Sequence, residues 1–174
     1  MALRVEQVAV AIADREFDVR VLNEDLILEL HGRLCADLTP AFAGRWRQIN
    51  VIVGAHEPPP PFQLAVAMRN YMADLRTRLE HLPPTPDERW LETLAFAEGR
   101  LLHIHPFQDF NGRVTRLFIA LLTNRLNLPD IEPIPIFGQP TKRYLQALRA
   151  ADQNDWKPLM AIWRERLQEV IDDD

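Results

Sequence analysis

The 174-residue sequence has one cysteine, no serine and fewer basic than acidic residues. The lone Cys35 excludes an internal disulfide and is typical of a protein in a reducing compartment. No apolar run approaches the roughly 20 residues that span a bilayer, and the first residues lack the basic and apolar layout of a signal peptide. The net charge of −5 argues against a nucleic-acid-binding surface, which needs a basic patch. We therefore expect a cytoplasmic protein with no nucleic-acid or membrane partner; a secreted effector without a signal peptide is the alternative.

Helical periodicity dominates what the sequence does contain. A length of 174 residues with 47% apolar content suits a single domain, residues 1–174, with a hydrophobic core. Apolar residues at helical spacing predict helices at about 23–37, 63–81, 85–103, 112–126, 140–152 and 155–171. The run Thr85-Pro86-Asp87-Glu88 marks one helix start, with Thr85 as the N-cap residue. The helix over 112–126 is apolar nearly all round and is expected at the centre of the domain. The predicted fold class is all-α.

One segment departs from the helical pattern. Residues 44–54, which we call the flap, are rich in β-branched and aromatic residues and are bounded by Gly44 and Gly54. They predict a short β-hairpin or extended flap on a helical bundle, with an open edge available to a partner chain. Four consecutive prolines, Pro58 to Pro61, predict a stiff extended connector after it.

The loop between the helices predicted over 85–103 and 112–126 carries the chemistry. The second helix begins with Gly112 and Arg113, and Arg116 follows three residues later. Helix N-termini attract anions, whereas two cations there are each unfavourable by roughly 0.3–1 kcal/mol. A bound polyphosphate would explain both arginines. The alternative is that they pair with nearby carboxylates such as Asp109, Glu98 or Glu92.

Three further polar residues of this loop suit phosphate chemistry. Asp109 next to an anion site predicts a Mg²⁺ ligand, because a divalent cation would relieve its repulsion from phosphate; the alternative is a cap or a salt bridge. Asn111 is either a phosphate ligand or a simple N-cap. His105 has an ordinary pKa near neutrality and is the candidate general base. Together they predict in-line transfer of a nucleotidyl group, and the glycine signatures of P-loop proteins and kinases are absent.

Three residues near or outside this loop have expected structural roles. Phe107 is expected to anchor the loop in the core rather than to contact a substrate. His31 and His103 lack comparable polar neighbours in the sequence, so both are interpreted as structural.

The loop resembles the Fic family pattern H-P-F-x-[D/E]-G-N-G-R-x-x-R. Eight positions match: His105, Pro106, Phe107, Asp109, Asn111, Gly112, Arg113 and Arg116. The flap and residues 144–159 also resemble family segments, so that the resemblance covers about residues 23–167. It implies the Fic fold, an all-α core with a β-hairpin flap that aligns a target protein by strand addition.

The resemblance also implies an activity, the transfer of AMP from ATP to a Ser, Thr or Tyr hydroxyl of another protein. Carried onto this chain, His105 would be the general base and Asp109 the Mg²⁺ ligand. The phosphates would be bound by Asn111, Gly112, Arg113 and Arg116, and we expect adenine contacts from the C-terminal helices near Tyr144. Target docking would use the flap residues Arg47, Gln48, Ile49, Asn50 and Val51.

Two substitutions separate this sequence from the family pattern. Phe110 stands where most AMP-transferring members have glycine, which allows a positive φ and a close approach to phosphate. One alternative is that its ring does not interfere, because it turns outward or packs under the flap. The other is that the ring fills the space where the phosphates would bind. Glu98 replaces a histidine and is expected at the surface or behind the catalytic residues.

These departures leave other functions open. They are Fic-type transfer of another phosphate-containing group, removal of AMP from modified proteins, and a non-catalytic module that binds nucleotide or protein. The inhibitory [S/T]-x-x-x-E-[G/N] motif of many members is absent from the sequence. If the sequence is complete, restraint is expected from a separate inhibitor protein or from homodimer formation, or is lacking; the alternative is an N-terminal truncation, which would produce the same absence.

Overall fold

The regular structure of the chain is helical, as the sequence predicts. The computed structural model describes residues 2–129 and 141–173, and in that part it contains helices and no strand. The α-helices are α1 (Ala2–Ala13), α2 (Glu24–Cys35), α3 (Leu64–Glu80), α4 (Glu88–Ile104), α5 (Asn111–Arg125), α6 (Lys142–Asp152) and α7 (Lys157–Asp173), and a 3-10 turn, Pro61–Gln63, precedes α3. Residues 130–140, which the single-domain prediction includes, lie outside the described residues.

Helices α2 to α7 confirm the sequence predictions, with one correction at the start of α4. The N-cap residue is Asp87 rather than Thr85: its carboxylate accepts a hydrogen bond from the Arg89 backbone N–H at 2.9 Å. The Arg89 guanidinium holds the same carboxylate at 2.9 Å. This second contact favours Asp87 over Thr85 as the cap, so the helix begins two residues later than the Thr85 cap would place it.

Helix α1 was not predicted. Its buried residues, Val8 and Ile12, lie one turn apart and pack into the core, and the helix lies against α2 and α5. The other residues of α1 give little helical periodicity, because most of its side chains are exposed. Packing against α5 rather than its own pattern stabilises this helix.

Helices α4 and α5 lie at the centre of the fold. Helix α4 packs against α3, α5, α6 and α7, and α5 packs against α1, α2 and α4. The approach at Gly99 is close: a Cβ there would lie 3.1 Å from both the Ala151 Cβ and the Trp156 ring. The central position of α5 confirms the expectation from its nearly uniform apolar surface. This packing fixes the end of α4 and the start of α5, which border the loop at residues 105–110.

The flap is not a hairpin: its residues 44–52 form a turn, bends and irregular backbone. Within the described residues the β-pairing is a single antiparallel bridge between Val53, inside the predicted range 44–54, and His56, two residues beyond it. A tight turn joins these two residues, with Gly54 at φ +63°. The returning chain then enters the proline run at Pro58, which has no N–H groups to continue a ladder. The physical reason for the correction is therefore the proline connector.

No helix within residues 2–129 and 141–173 combines the length and the apolar character required to cross a membrane.

Candidate active site

Two residues with left-handed backbone conformation, His105 and Phe110, border the loop between α4 and α5. His105 ends α4 at φ +49°, and its N–H bonds to the Leu101 carbonyl. Phe110 precedes α5 at φ +65°, and its carbonyl accepts the Val114 N–H. Left-handed backbone is unfavourable for side chains other than glycine, so surrounding contacts must hold both residues in place.

The Asn111 side chain closes the loop. Its Oδ1 accepts the Phe107 N–H and its Nδ2 donates to the Phe107 carbonyl, both at 2.9 Å. The side chain is 4% exposed. The side-chain amide of Asn111 is thus hydrogen-bonded to the backbone of the loop. The group of Asn111 that we expect to contact phosphate is therefore its backbone N–H at the start of α5.

A stacked pair of rings supports the loop from below. The Phe107 ring lies parallel to the His31 imidazole with 3.8 Å between centroids, which agrees with the predicted anchoring role of Phe107. His31 is fully buried, and its Nδ1 accepts the Gly44 N–H at 2.9 Å. Burial lowers the pKa of His31 to about 4, against the opposing effect of the Asp109 backbone and charge. His31 therefore joins α2, the flap and the loop as a neutral structural residue.

Phe110 adopts the backbone conformation that a glycine would supply. Its ring is part of the hydrophobic core, 9% exposed, with its centroid 6.3 Å from that of His31. The Arg113 guanidinium lies over the ring at 5.3 Å, within the range of a cation–π contact. The loop thus keeps its left-handed turn, and the ring packs inward against the aromatic pair.

His105 is placed as a proton acceptor. Its Nδ1 faces the Leu102 carbonyl at 3.4 Å, and a carbonyl can only accept a hydrogen, so Nδ1 carries the proton and Nε2 has the lone pair. Burial lowers the pKa of His105; the Leu102 carbonyl opposes this, and the charges of Arg47 and His56 reinforce it. The imidazole is therefore neutral at neutral pH.

Arg113 and Arg116 form no ion pair with any residue in 2–129 or 141–173. The Arg116 Nε is buried without a hydrogen-bond partner in that part of the chain, and burial lowers the pKa of Arg116. A Cβ at Gly112 would meet no atom within 4 Å, so space is open at the start of α5. Two uncompensated cations beside open space at a helix N-terminus fit an anion carrying several charges.

Two of the three carboxylates that could have neutralised these arginines, Glu92 and Glu98, form their ion pairs with other arginines. Glu92 binds Arg78 at 2.9 Å. Glu98 accepts the Tyr144 hydroxyl at 2.7 Å and pairs with Arg166 at 2.9 Å. Glu98 is fully buried, which corrects the surface alternative for this residue. Tyr144 is also buried with its hydroxyl on Glu98, so this hydroxyl is not the adenine contact expected near it.

Arg47 supports the loop and is not exposed for docking. Its side chain is 1% exposed and donates to the carbonyls of His105, Ile49 and Pro59 at 2.8, 2.8 and 2.5 Å. Its backbone N–H donates to the Pro106 carbonyl. Arg47 therefore ties the flap to the catalytic loop, whereas Gln48, Ile49 and Asn50 are exposed and Val51 is half-buried.

A cleft of about 590 Å³ opens beside His105. Its walls come from the turn after the flap, the end of α4 and the outer face of α6, and include Val53, His105, Leu145, Leu148 and Asp152. The helix expected near the adenine, α6, does line this cleft, although through residues next to Tyr144. Sequence reasoning missed these residues because their spacing on α6 is that of an ordinary amphipathic helix.

Asp109 meets the requirements of a magnesium ligand. Its side chain is exposed, and its Oδ1 accepts the Phe110 N–H at 2.6 Å, which orients the carboxylate beside the open N-terminus of α5. Mg²⁺ is commonly bound through one or two carboxylates together with substrate phosphates. The residues present therefore fit the ion.

Comparison with known proteins agrees with this architecture. A family model described as Fic/DOC family matches residues 21–123. Protein adenylyltransferase Fic from Drosophila erecta is 33% identical over 146 residues, covering 84% of this chain and 28% of the relative. The protein of the same name from Aedes aegypti is 31% identical over 146 residues, with the same two shares. The chain thus spans less than a third of the length of these curated relatives.

Solved structures share the fold. Fic-1 (aa134–508) from C. elegans has a TM-score of 0.73 at 23% identity, with 98% of this chain and 50% of that chain covered. BepC, a VirB-translocated effector of Bartonella tribocorum with bound AMPPNP, has a TM-score of 0.72 at 16% identity, covering 95% and 85%. The family model covers more than half of the chain and the helical architecture matches these structures, so the chain belongs to the Fic/DOC family.

Proposed function

We propose that this chain transfers AMP from ATP to a Ser, Thr or Tyr hydroxyl of a target protein. The observation that carries the proposal is one short loop that places His105, with the Nε2 lone pair free, shortly before the open start of α5, where Arg113 and Arg116 form no ion pair with the described residues. The curated relatives are named protein adenylyltransferases, and one structural neighbour binds AMPPNP. Both facts support the same chemistry here.

The residues take distinct roles in the proposed reaction. His105 Nε2 accepts the proton of the attacking hydroxyl, the oxygen bonds to the α-phosphorus, and the bond to the β-phosphate breaks with release of pyrophosphate. Arg113, Arg116 and the first N–H groups of α5 hold and neutralise the phosphates. Mg²⁺ on Asp109 would supply further neutralisation of the phosphate charge when bound. Catalysis then depends mainly on positioning and charge stabilisation.

The cleft and the flap divide the remaining recognition between them. The cleft beside His105 has apolar walls from Leu145 and Leu148 and polar groups at its end, which suits a nucleoside. The exposed flap residues Gln48, Ile49 and Asn50 would dock the target by backbone pairing. Restraint by a separate inhibitor protein or a homodimer stays a prediction.

Labelling with ATP radioactive at the α-phosphate tests the proposal. The protein with Mg²⁺ should label itself or a protein in a lysate, and His105→Ala should abolish labelling while His81→Ala, which removes an exposed histidine outside the site, retains it. Intact-mass analysis should show the addition of one AMP group. Equal labelling in the wild type and His105→Ala, or added mass of another group, would refute this function.

A further inference from the structure

Three side chains outside the catalytic loop meet at the end of the cleft. His56 follows the tight turn after the flap, His103 lies in the last turn of α4, and Asp152 ends α6. One nitrogen of each histidine and a carboxylate oxygen all lie within 4.8 Å of one another. His103 Nδ1 is 2.8 Å from Asp152 Oδ1, and His56 Nδ1 is 3.8 Å from Asp152 Oδ2. His103, which the sequence analysis interprets as structural for lack of polar neighbours in the sequence, gains polar neighbours through folding.

The hydrogen bond of His56 fixes its tautomer. Its Nε2 lies 2.8 Å from the His103 carbonyl, which can only accept, so Nε2 carries the proton. With that proton on Nε2, the Nδ1 lone pair faces the Asp152 carboxylate, which is itself an acceptor. Two acceptors that face each other repel, and a cation bound between them would relieve this repulsion. Histidines that bind metals characteristically donate their other ring N–H to a backbone carbonyl in this way.

The spacing fits a small first-row cation. Tetrahedral zinc with bonds of about 2.0–2.1 Å holds its ligand atoms about 3.3 Å apart. His103 Nδ1 lies 2.8 Å from one Asp152 oxygen and His56 Nδ1 lies 3.8 Å from the other, and one ligand atom from each residue lies within 4.8 Å of the other two. The side chains are 18–23% exposed, which leaves access from the cleft.

We propose that His56, His103 and Asp152 form a binding site for a divalent transition-metal ion, with zinc as the best-fitting class. Two imidazoles and one carboxylate favour zinc, cobalt or nickel over magnesium, for which oxygen ligands are preferred. The site is separate from Asp109 and does not depend on the proposed transfer reaction. A bound ion would tie the turn after the flap to both α4 and α6.

Calorimetry with ZnCl₂ and the visible absorption of Co²⁺ on the full chain test this site. The wild type should bind one ion per chain with a tetrahedral cobalt spectrum, and Asp152→Asn, His56→Ala and His103→Ala should each weaken binding about tenfold or more. Asp152→Asn keeps the side-chain shape, so it guards against misfolding, which thermal melting would reveal. His81→Ala and Asp109→Asn are matched controls that should bind like the wild type.

Two results would overturn the proposal. One is a wild-type chain that binds neither Zn²⁺ nor Co²⁺, in which case the cluster is a hydrogen-bonded latch. The other is binding that Asp152→Asn and His56→Ala leave unchanged, or that Asp109→Asn abolishes. Because the readout is metal binding, neither result bears on AMP transfer.

Discussion

At the scale of single residues, Phe110 is held in a conformation that its side chain disfavours. The ring stabilises the core, while the left-handed backbone at φ +65° costs about 1–2 kcal/mol. Phe110→Ala and Phe110→Gly remove the same ring, but only glycine relieves the backbone strain.

We therefore expect Phe110→Gly to unfold at a higher denaturant midpoint than Phe110→Ala, with a difference of about 1 kcal/mol in the free energy of unfolding. Both variants should be less stable than the wild type, because burial of the ring contributes about 2–3 kcal/mol to the free energy of unfolding and this contribution is lost. Equal stability of the two variants would show that the strain is absent.

Arg47 offers a second test at this scale. Three backbone carbonyls accept from its buried guanidinium, and none would find another donor after its removal. Arg47→Met keeps the length of the chain and should lower the free energy of unfolding by about 3 kcal/mol. Arg45→Met, a change at the exposed neighbouring arginine, should alter stability by less than about 0.5 kcal/mol. Similar denaturation curves for the two variants would contradict the role given to Arg47.

At the scale of elements, the start of α5 carries charges that destabilise a helix N-terminus and that a bound polyphosphate would neutralise. Cations in the first turn oppose the helix dipole, and the described residues provide no carboxylate partner for Arg113. In α4 the comparable Arg89 is engaged by Asp87.

Arg113→Met should weaken the binding of ATP with Mg²⁺ by about ten- to a hundredfold, measured by calorimetry, because a charge-assisted contact contributes about 1.5–3 kcal/mol. The same change should raise the free energy of unfolding by about 0.3–1 kcal/mol. Arg89→Met is the matched control and should leave ATP affinity unchanged. A variant Arg113→Met that binds ATP like the wild type would exclude this arginine from the phosphate site.

The elements also show where sequence reasoning succeeds. Helices α4 and α5 carry long, strong apolar periodicity, and the sequence predicts them and the loop between them within a few residues. Helix α1 has only a few buried positions and was missed. The flap reads as a hairpin because its residues favour strands, but the prolines from Pro58 onward provide no donors for the second strand. The strand propensity of the flap residues therefore does not determine the structure of the flap. The next segment does, because its prolines lack the N–H groups that a second strand would need.

At the scale of the whole molecule, the fold joins residues that the sequence keeps apart. The residues proposed to act in the transfer reaction, His105 to Arg116, lie in one window and are visible in the sequence. His31, by contrast, is far from Phe107 in the sequence, yet its ring stacks on the Phe107 ring. The cleft likewise combines the turn after the flap with α6. No local pattern could predict these contacts, because they depend on helix packing.

The buried His31 makes the stability of the whole fold depend on pH. Its pKa in the folded state is about 4, below the ordinary value of 6.5, so as pH falls the unfolded chain takes up the proton first. The stabilisation is complete above pH 6.5 and is lost progressively toward pH 4, by about 3 kcal/mol in all. His103 and His105 act in the same direction.

Denaturant unfolding from pH 7.5 to pH 4 should therefore show a smaller loss of stability in His31→Gln than in the wild type. Glutamine does not titrate and can still accept the Gly44 N–H. The exposed His81→Gln is the control and should follow the wild-type curve. A pH dependence that His31→Gln leaves unchanged would mean that this imidazole titrates freely.

The central claim is that the start of α5 holds a polyphosphate within reach of the His105 imidazole. A crystal structure with Mg²⁺ and a non-hydrolysable ATP analogue tests it most directly. We expect the phosphates against Arg113, Arg116 and the first N–H groups of α5, with the α-phosphate facing His105 Nε2 and the nucleoside in the cleft. A nucleotide bound elsewhere, with the Phe110 ring occupying the start of α5, would contradict the account.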